Sequence, residues 1–296
     1  MSIKQWQNEI TKNLEDILQE NLPDHYLKEV INYSVLPPGK LFRPLLVYSL
    51  ASDLNGVSKE HQTLACAIEL HHTYTLIHDD LPAMDNDDLR RGRPSSHIKF
   101  NQWSAILAGD ALLNLSYELL ANLSPTCLPA VLKDFSLSCG AQGLVLGQCM
   151  DLANENDTLK KLLKIHELKT ARLIQTSLCC SAFISQRNDM EVKLKEIGYA
   201  LGIVFQLLDD LCELIEDVNQ HEEEINPFLH FKTEELTQLI NTNCQIIFSH
   251  TQEYKLINLM NYIQSYLTKI NQKLLKNEEK IVQKIDIKIN QLNLQK

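Results

Sequence analysis

The chain has few residues that interrupt helices: nine glycines and nine prolines in 296 residues. Little of it alternates apolar and polar residues as a strand does, whereas long segments repeat apolar residues every three or four positions. No stretch approaches 18 uninterrupted apolar residues, and MSIKQWQNEI at the N-terminus has no apolar run behind its first basic residue. The expectation is therefore a cytoplasmic protein with no secretory signal and no stable membrane insertion. The eight cysteines, Cys66, Cys127, Cys139, Cys149, Cys179, Cys180, Cys212 and Cys244, form no CxxC and no regular spacing. Most lie among Leu, Ala and Ile, which suits small reduced hydrophobes better than a zinc site or a disulfide framework. Basic patches are lacking too, and the net charge of -10 argues against nucleic acid as a partner.

What is present is a succession of helical patterns. An entry helix spans Glu9 to Val30 with a break near Pro23, and a proline-rich turn covers Leu36 to Gly39. Further helices are expected at Phe42–Leu54, Ser58–Ile77, Trp103–Leu120, Leu128–Asp151, Asp157–Phe183 and Met190–Glu216. The last seventy or so residues read as polar amphipathic helices serving as scaffold. With no internal repeat and no convincing linker, the expectation is an all-α fold, a single large helical domain over residues 1–296.

Two carboxylate clusters interrupt this regularity. The first lies in HDDLPAMDNDDLRRG, with Asp79, Asp80, Asp85, Asp87 and Asp88 followed by Arg90, Arg91 and Arg93. Like charges this crowded need open solvent or a bound counter-charge. Asp79 and Asp80 leave the end of one helix, and Pro82 permits a bend that returns Asp85 toward them. Oxygen donors in this number suit magnesium, which often bridges carboxylates to phosphate; a solvated acidic turn has the same composition. The second cluster lies in FQLLDDLCELIED, where Gln206, Asp209, Asp210 and Glu213 share one helical face. A metal wall and a structural salt bridge both fit it. If the two clusters face one cavity, they form a site for several metal ions. Lys40, Arg43, Arg90, Arg91 and Lys169 are candidate clamps for a diphosphate, the arginines through paired hydrogen bonds and the lysines as mobile point charges.

From about Leu36 to Asp217 the chain strongly resembles the bacterial short-chain trans-polyprenyl diphosphate synthases, especially farnesyl diphosphate synthases. The resemblance rests on the ordered set PGKLFRP, HHTYTLIHDDLPAMDNDDLRRGRPSSH, AILAGDALL, GLVLGQCMDL, HELKT and FQLLDD. It implies an all-helical fold around a central active-site cavity, commonly a homodimer, with Mg2+ as cofactor. By resemblance, metal ligation falls to Asp79, Asp85 and Asp209, with Asp80 and Asp210 in the same motifs. Isopentenyl diphosphate would meet Lys40, Arg43, His72 and Arg91, and the allylic diphosphate Arg90 and Lys169. Thr170 and Gln206 would line the reacting groups, and Tyr74 with Thr75 would limit chain length to farnesyl diphosphate. For His72 and Tyr74, ordinary interior packing is the competing reading. A single-substrate terpene cyclase is disfavoured by the isopentenyl diphosphate pocket.

The chain departs from that pattern in several places. The second motif ends in Glu213, a longer arm than the usual aspartate, and DVNQHEEEINPFLH replaces a glycine- and lysine-containing loop. No lysine occurs between Lys195 and Lys232, so an expected contact to the allylic diphosphate is missing, and Glu222, Glu223 and Glu224 would repel a substrate they faced. Pro38 stands where relatives usually have glycine. Arg172, three residues after Lys169, either reaches the same cavity or forms a surface salt bridge. The alternative to a working synthase is a weakly active or inactive homologue that acts as a partner or regulatory subunit.

Overall fold

The computed structural model describes residues 2–215 and 226–294. Within them the fold is all-α, with one two-stranded hairpin and no larger sheet among the described residues. The chain divides into two compact units, Met1–Phe135 with Cys180–Asn188, and Ser136–Cys179 with Asp189–Lys296.

In the first unit, α1 (Ile3–Asn21) begins earlier than the hydrophobic pattern suggested. The reason is a capping box: the Ser2 hydroxyl accepts from the Gln5 amide and the Gln5 side chain accepts from the Ser2 amide, at 3.3 and 2.7 Å. The break near Pro23 separates α1 from α2 (Tyr26–Val35). Helix α3 (Phe42–Leu54) has the expected bounds, and all of its residues from Phe42 to Ala51 are buried. Such a helix is buried all round because it runs through the core, as the next helix does with its buried Leu64, Ile68 and Leu70. Helix α4 (Lys59–Asp79) is capped by Ser58 and, unusually for a core helix, buries Glu69, His71, Thr73 and Thr75. Buried polar groups need partners, so this helix carries polar structure as well as packing. Helices α5 (Ser96–Lys99) and α6 (Gln102–Ala121) follow the hairpin, α6 being capped by the Asn101 side chain.

The helix expected over Leu128–Asp151 is two helices, α7 (Leu128–Cys139) and α8 (Leu144–Leu152). The separation falls at Gly140 and Gly143, and at Gly143 a Cβ would lie 1.9 Å from the Ser138 carbonyl oxygen. The Asp157–Phe183 helix contains a change of winding: α9 (Leu159–His166), one π-helical turn at Glu167–Ala171, then α10 (Arg172–Ile184). Helix α11 (Glu191–Glu213) carries the second acidic motif. The C-terminal part of the second unit comprises α12 (Pro227–His230), α13 (Thr233–Glu253), α14 (Ile257–Lys276) and α15 (Glu278–Lys284), the polar amphipathic helices expected. Their buried stripes, Leu236, Ile240, Cys244 and Ile247 on α13 and Leu259, Ile263 and Leu267 on α14, sit at helical spacing.

Candidate functional site

Each unit carries one acidic motif. In the first, α4 ends at Asp79, and the following turn brings the chain back so that the Asp85 amide donates to the Asp79 carbonyl at 2.9 Å. The bend expected at Pro82 therefore returns Asp85 to Asp79. Asp79 is half-buried and Asp85 exposed, whereas Asp80 is buried at 3% exposure. Asp80 is held by Arg90: Nε donates to Oδ1 at 2.8 Å, Nη2 donates to the same oxygen, and Nη2 also reaches Asp87 Oδ2 at 2.9 Å. Burial raises the Asp80 pKa, and the hydrogen bonds from Arg90 oppose that rise.

Arg90 and Arg91 stand on a hairpin that the helical pattern did not reveal, β1 (Leu89–Arg90) paired antiparallel with β2 (Arg93–Pro94). Its two loop residues, Arg91 and Gly92, both have positive φ, 54° and 71°, as a tight two-residue hairpin requires. A non-glycine residue in that conformation carries strain, which concentrates at functional positions. The same holds for Leu41, at φ 53°, between Lys40 and Arg43. The Arg91 guanidinium passes over Gly39, where a Cβ would lie 2.8 Å from its central carbon, and forms an ion pair with Glu69 at 3.9 Å. Glycine at 39 thus provides the space through which this arginine reaches the buried carboxylate.

Arg43 Nη1 lies 3.3 Å from His72 Nε2. Burial, then the Arg43, Arg91 and Arg90 charges, hold the His72 pKa well below the usual imidazole value. The ring is neutral; because guanidinium only donates, Nε2 accepts and the proton sits on Nδ1. Lys40 is exposed. The first unit therefore brings Arg43, His72 and Arg91 together through linked contacts. Tyr74 is 8% exposed and packs edge-on against His71 and His78, with ring centroids at 4.6 and 5.7 Å. The Thr75 hydroxyl donates to its own helix at the His72 carbonyl, 2.8 Å away.

In the second unit, Asp209 is exposed and Asp210 buried, so the polar face of α11 is divided between solvent and core. Asp210 Oδ2 has no hydrogen-bond partner. Burial, then Glu213 and Asp209, push its pKa well up, while a hydrogen bond from Gln206 works the other way. Gln206 in turn accepts from the Thr170 hydroxyl at 3.0 Å, giving a Thr170–Gln206–Asp210 chain. Lys169 lies in the π-helical turn, and its Nζ meets Asp151 Oδ2 at 2.6 Å. Arg172 pairs with Glu167 at 2.7 Å, the salt-bridge alternative rather than a second charge beside Lys169. Glu213 accepts from Asn226 Nδ2 at 3.4 Å, and the same amide donates to the Asp210 carbonyl at 2.8 Å.

Sequence reasoning missed Asp151, although it lies in the quoted GLVLGQCMDL, and missed Glu69, Asp87 and Asn226 as partners of site residues. The signal for Glu69 was a charged residue inside an apolar helix. Glu216, Asp217 and the acidic Glu222, Glu223 and Glu224 lie outside the described residues. Among the described residues, no three His, Cys, Asp or Glu side chains form a ready group for a metal ion, and no helix is long and apolar enough to cross a membrane.

The chain matches the polyprenyl synthetase family over residues 24–272. A farnesyl diphosphate synthase of Micrococcus luteus is 38% identical over 221 residues, 70% of this chain and 76% of that protein. The match to a chloroplastic geranylgeranyl pyrophosphate synthase of Capsicum annuum is 36% identical and covers 73% of this chain but 59% of the relative. Among solved structures, a geranyltransferase from Legionella pneumophila superimposes with a TM-score of 0.80 at 31% identity, covering 93% of this chain and 96% of its own. A Helicobacter pylori geranyltransferase complexed with magnesium and isoprenyl diphosphate gives 0.74 at 30% identity, covering 93% and 97%.

Proposed function

The chain belongs to the polyprenyl synthetase family, among its short-chain trans-prenyltransferases, and we propose that it condenses isopentenyl diphosphate with dimethylallyl or geranyl diphosphate to form farnesyl diphosphate. The observation that carries this reading is the return of Asp85 onto Asp79 directly before an arginine-bearing hairpin. It sets carboxylates and guanidiniums side by side, as a metal diphosphate demands.

The donor set fits magnesium. It consists of hard carboxylate oxygens, and one of them, Asp210 Oδ2, is buried without a partner. Asp79, Asp85 and Asp209 would hold the ions, Asp210 supporting Asp209. Bound there, magnesium would neutralise charge growing on the leaving diphosphate. The rest falls to the chain. Lys40, Arg43, His72 and Arg91 hold isopentenyl diphosphate, His72 donating from Nδ1. Arg90 and Lys169 hold the allylic diphosphate and stabilise its departure. Thr170 and Gln206 line the reacting carbons. After the alkene attacks the allylic cation, the proton passes to the departed diphosphate, so no side chain acts as base. The Tyr74 ring, supported by His71, blocks growth beyond C15.

A homodimer accounts for the apolar stripe Trp103, Ile106 and Leu107 along α6, exposed at 57, 42 and 48%. The eight cysteines, none of them in a disulfide, suit a reducing cytoplasm. One observation favours the second reading, a weakly active partner subunit: the terminal carboxylate of the second motif, Glu213, is engaged by Asn226.

The test is product formation by the purified chain with magnesium, isopentenyl diphosphate and either allylic diphosphate, resolved by chain length. A magnesium-dependent C15 product that disappears in Asp79→Ala supports the synthase. Folded protein that makes no product above a no-enzyme control refutes an autonomous enzyme and favours the partner subunit.

A further inference from the structure

Glu69 is the one carboxylate in the middle of α4, and it is 2% exposed. A lone ionised carboxylate in a core is costly, and such groups persist where they are paired. It forms an ion pair with Arg91, Nη2 lying 3.9 Å from Oε1. Burial pushes the Glu69 pKa up, and Arg91 and Arg43 pull it back. The carboxylate thus pairs with one of the basic groups assigned to isopentenyl diphosphate and feels the charge of a second, Arg43, which itself lies against His72.

Two further features act on the same arginine. Its backbone is held at φ 54° by the hairpin turn, and its guanidinium crosses a position where any side chain larger than hydrogen would collide with it. The hairpin thus sets the Arg91 backbone, Gly39 leaves room for its side chain, and the Glu69 carboxylate draws the guanidinium to one place. A guanidinium recognises phosphate through a planar fork, so its usefulness depends on orientation as well as charge.

We propose that Glu69 is a positioning residue for isopentenyl diphosphate: through its ion pair it holds the Arg91 guanidinium so that its outer edge presents donors to the diphosphate. This rests on the functional reading above. It makes a prediction of sign. A carboxylate that only added negative charge near the pocket would weaken substrate binding, and neutralising it would tighten binding. A carboxylate that aligns the fork does the reverse.

The experiment uses the full chain with Glu69→Gln, which keeps size and removes charge, and Glu69→Asp, which keeps charge and shortens the arm. Binding of isopentenyl diphosphate is measured by calorimetry without allylic substrate, and KM for both substrates and kcat by steady-state kinetics. The expected result is binding of isopentenyl diphosphate weakened roughly tenfold in Glu69→Gln and less in Glu69→Asp, with kcat and the allylic KM within about twofold of the unmutated chain. Unchanged or tighter binding in Glu69→Gln overturns the inference, as does an equal rise in both KM values. If Glu69→Gln does not fold, Glu69→Asp decides by the same selective loss. Failure of the unmutated chain to bind isopentenyl diphosphate instead overturns the functional reading, and the inference with it.

Discussion

His71 offers a quantitative test of how α4 is built. It is fully buried, with the Tyr74, Phe135 and Tyr117 rings edge-on around it at centroid distances of 4.6, 4.8 and 6.1 Å. Nδ1 lies 3.1 Å from the Ser116 hydroxyl oxygen, and that hydroxyl donates to the Leu113 carbonyl at 2.6 Å. Ser116 has therefore used its proton, so Nδ1–H is the donor, and Nε2 keeps a lone pair with no partner. Protonating Nε2 puts a charge into an apolar cage. Burial accordingly lowers the pKa from 6.5 to about 3.

A histidine whose folded pKa is depressed contributes stability that is complete above its unfolded value and is lost as pH falls toward the folded one. The window here runs from 6.5 down to about 3. At about 1.36 kcal/mol per unit, the loss reaches roughly 3 kcal/mol by pH 4. His71→Asn keeps a donor for Ser116 and removes both the ring and the titration. Losing the ring costs roughly 2 kcal/mol at pH 7. The gap between the unmutated chain and the variant, followed by urea unfolding with circular dichroism from pH 7 to 4, is expected to close and then reverse. Other titrating groups are common to both proteins and cancel. A gap that stays constant across this range refutes a neutral, caged His71.

Other consequences follow from single contacts. Gly109→Ala places a Cβ 2.1 Å from His78 Nε2, so the ring has to shift and give up its 3.0 Å contact with the Ile106 carbonyl. The expected cost is about 1–3 kcal/mol of stability, seen as a lower Tm, with loss of activity because His78 immediately precedes Asp79. Thr170→Val removes the donor to Gln206 and leaves an amide oxygen without it. The cost is about 1–2 kcal/mol in thermal unfolding, and if the pair lines the reacting groups, kcat falls more than either KM; unaltered kinetics would show a purely structural role.

How much of this was legible depended on whether a feature has a local cause. The α3 helix could be bounded from residues because Pro44 suits its first turn and the apolar run stops at Leu54. The two acidic motifs were equally plain. The break between α7 and α8 was written in Gly140 and Gly143, but the hydrophobic periodicity on either side is strong enough to hide it. The π-helical turn at Glu167–Ala171 has no comparable signature. Its winding goes with tertiary packing, since α8 approaches so closely that a Cβ on Gly147 would lie 2.5 Å from the Lys169 amide nitrogen. The Arg91–Gly92 hairpin is likewise only two residues per strand, too short for any alternation to register. Ion-pair partners were the least legible, because Asp151 and Glu69 reach their cations through the fold.

Three of the cations assigned to substrate are each paired with a carboxylate of their own unit, and the environments of these pairs differ. Asp151 and Lys169 are 38 and 29% exposed, so solvent screens that pair, and an exposed ion pair is worth about 0–1 kcal/mol. Breaking that pair in favour of a diphosphate would by itself cost little. Asp80 is 4% exposed in its side chain, and stripping it of Arg90 would leave a buried charge unpaired, a change of about 3–5 kcal/mol in the general case. An Arg90 that held the allylic diphosphate would therefore keep Asp80 and give up Asp87, whose side chain is 43% exposed. Glu69 is as buried as Asp80, so taking Arg91 away from it, now 3.9 Å distant, would likewise leave a buried carboxylate without that ion pair. Burial of the carboxylate thus sets how firmly each pair is held: Asp80 and Glu69 are shielded from water, whereas solvent screens the Asp151–Lys169 pair.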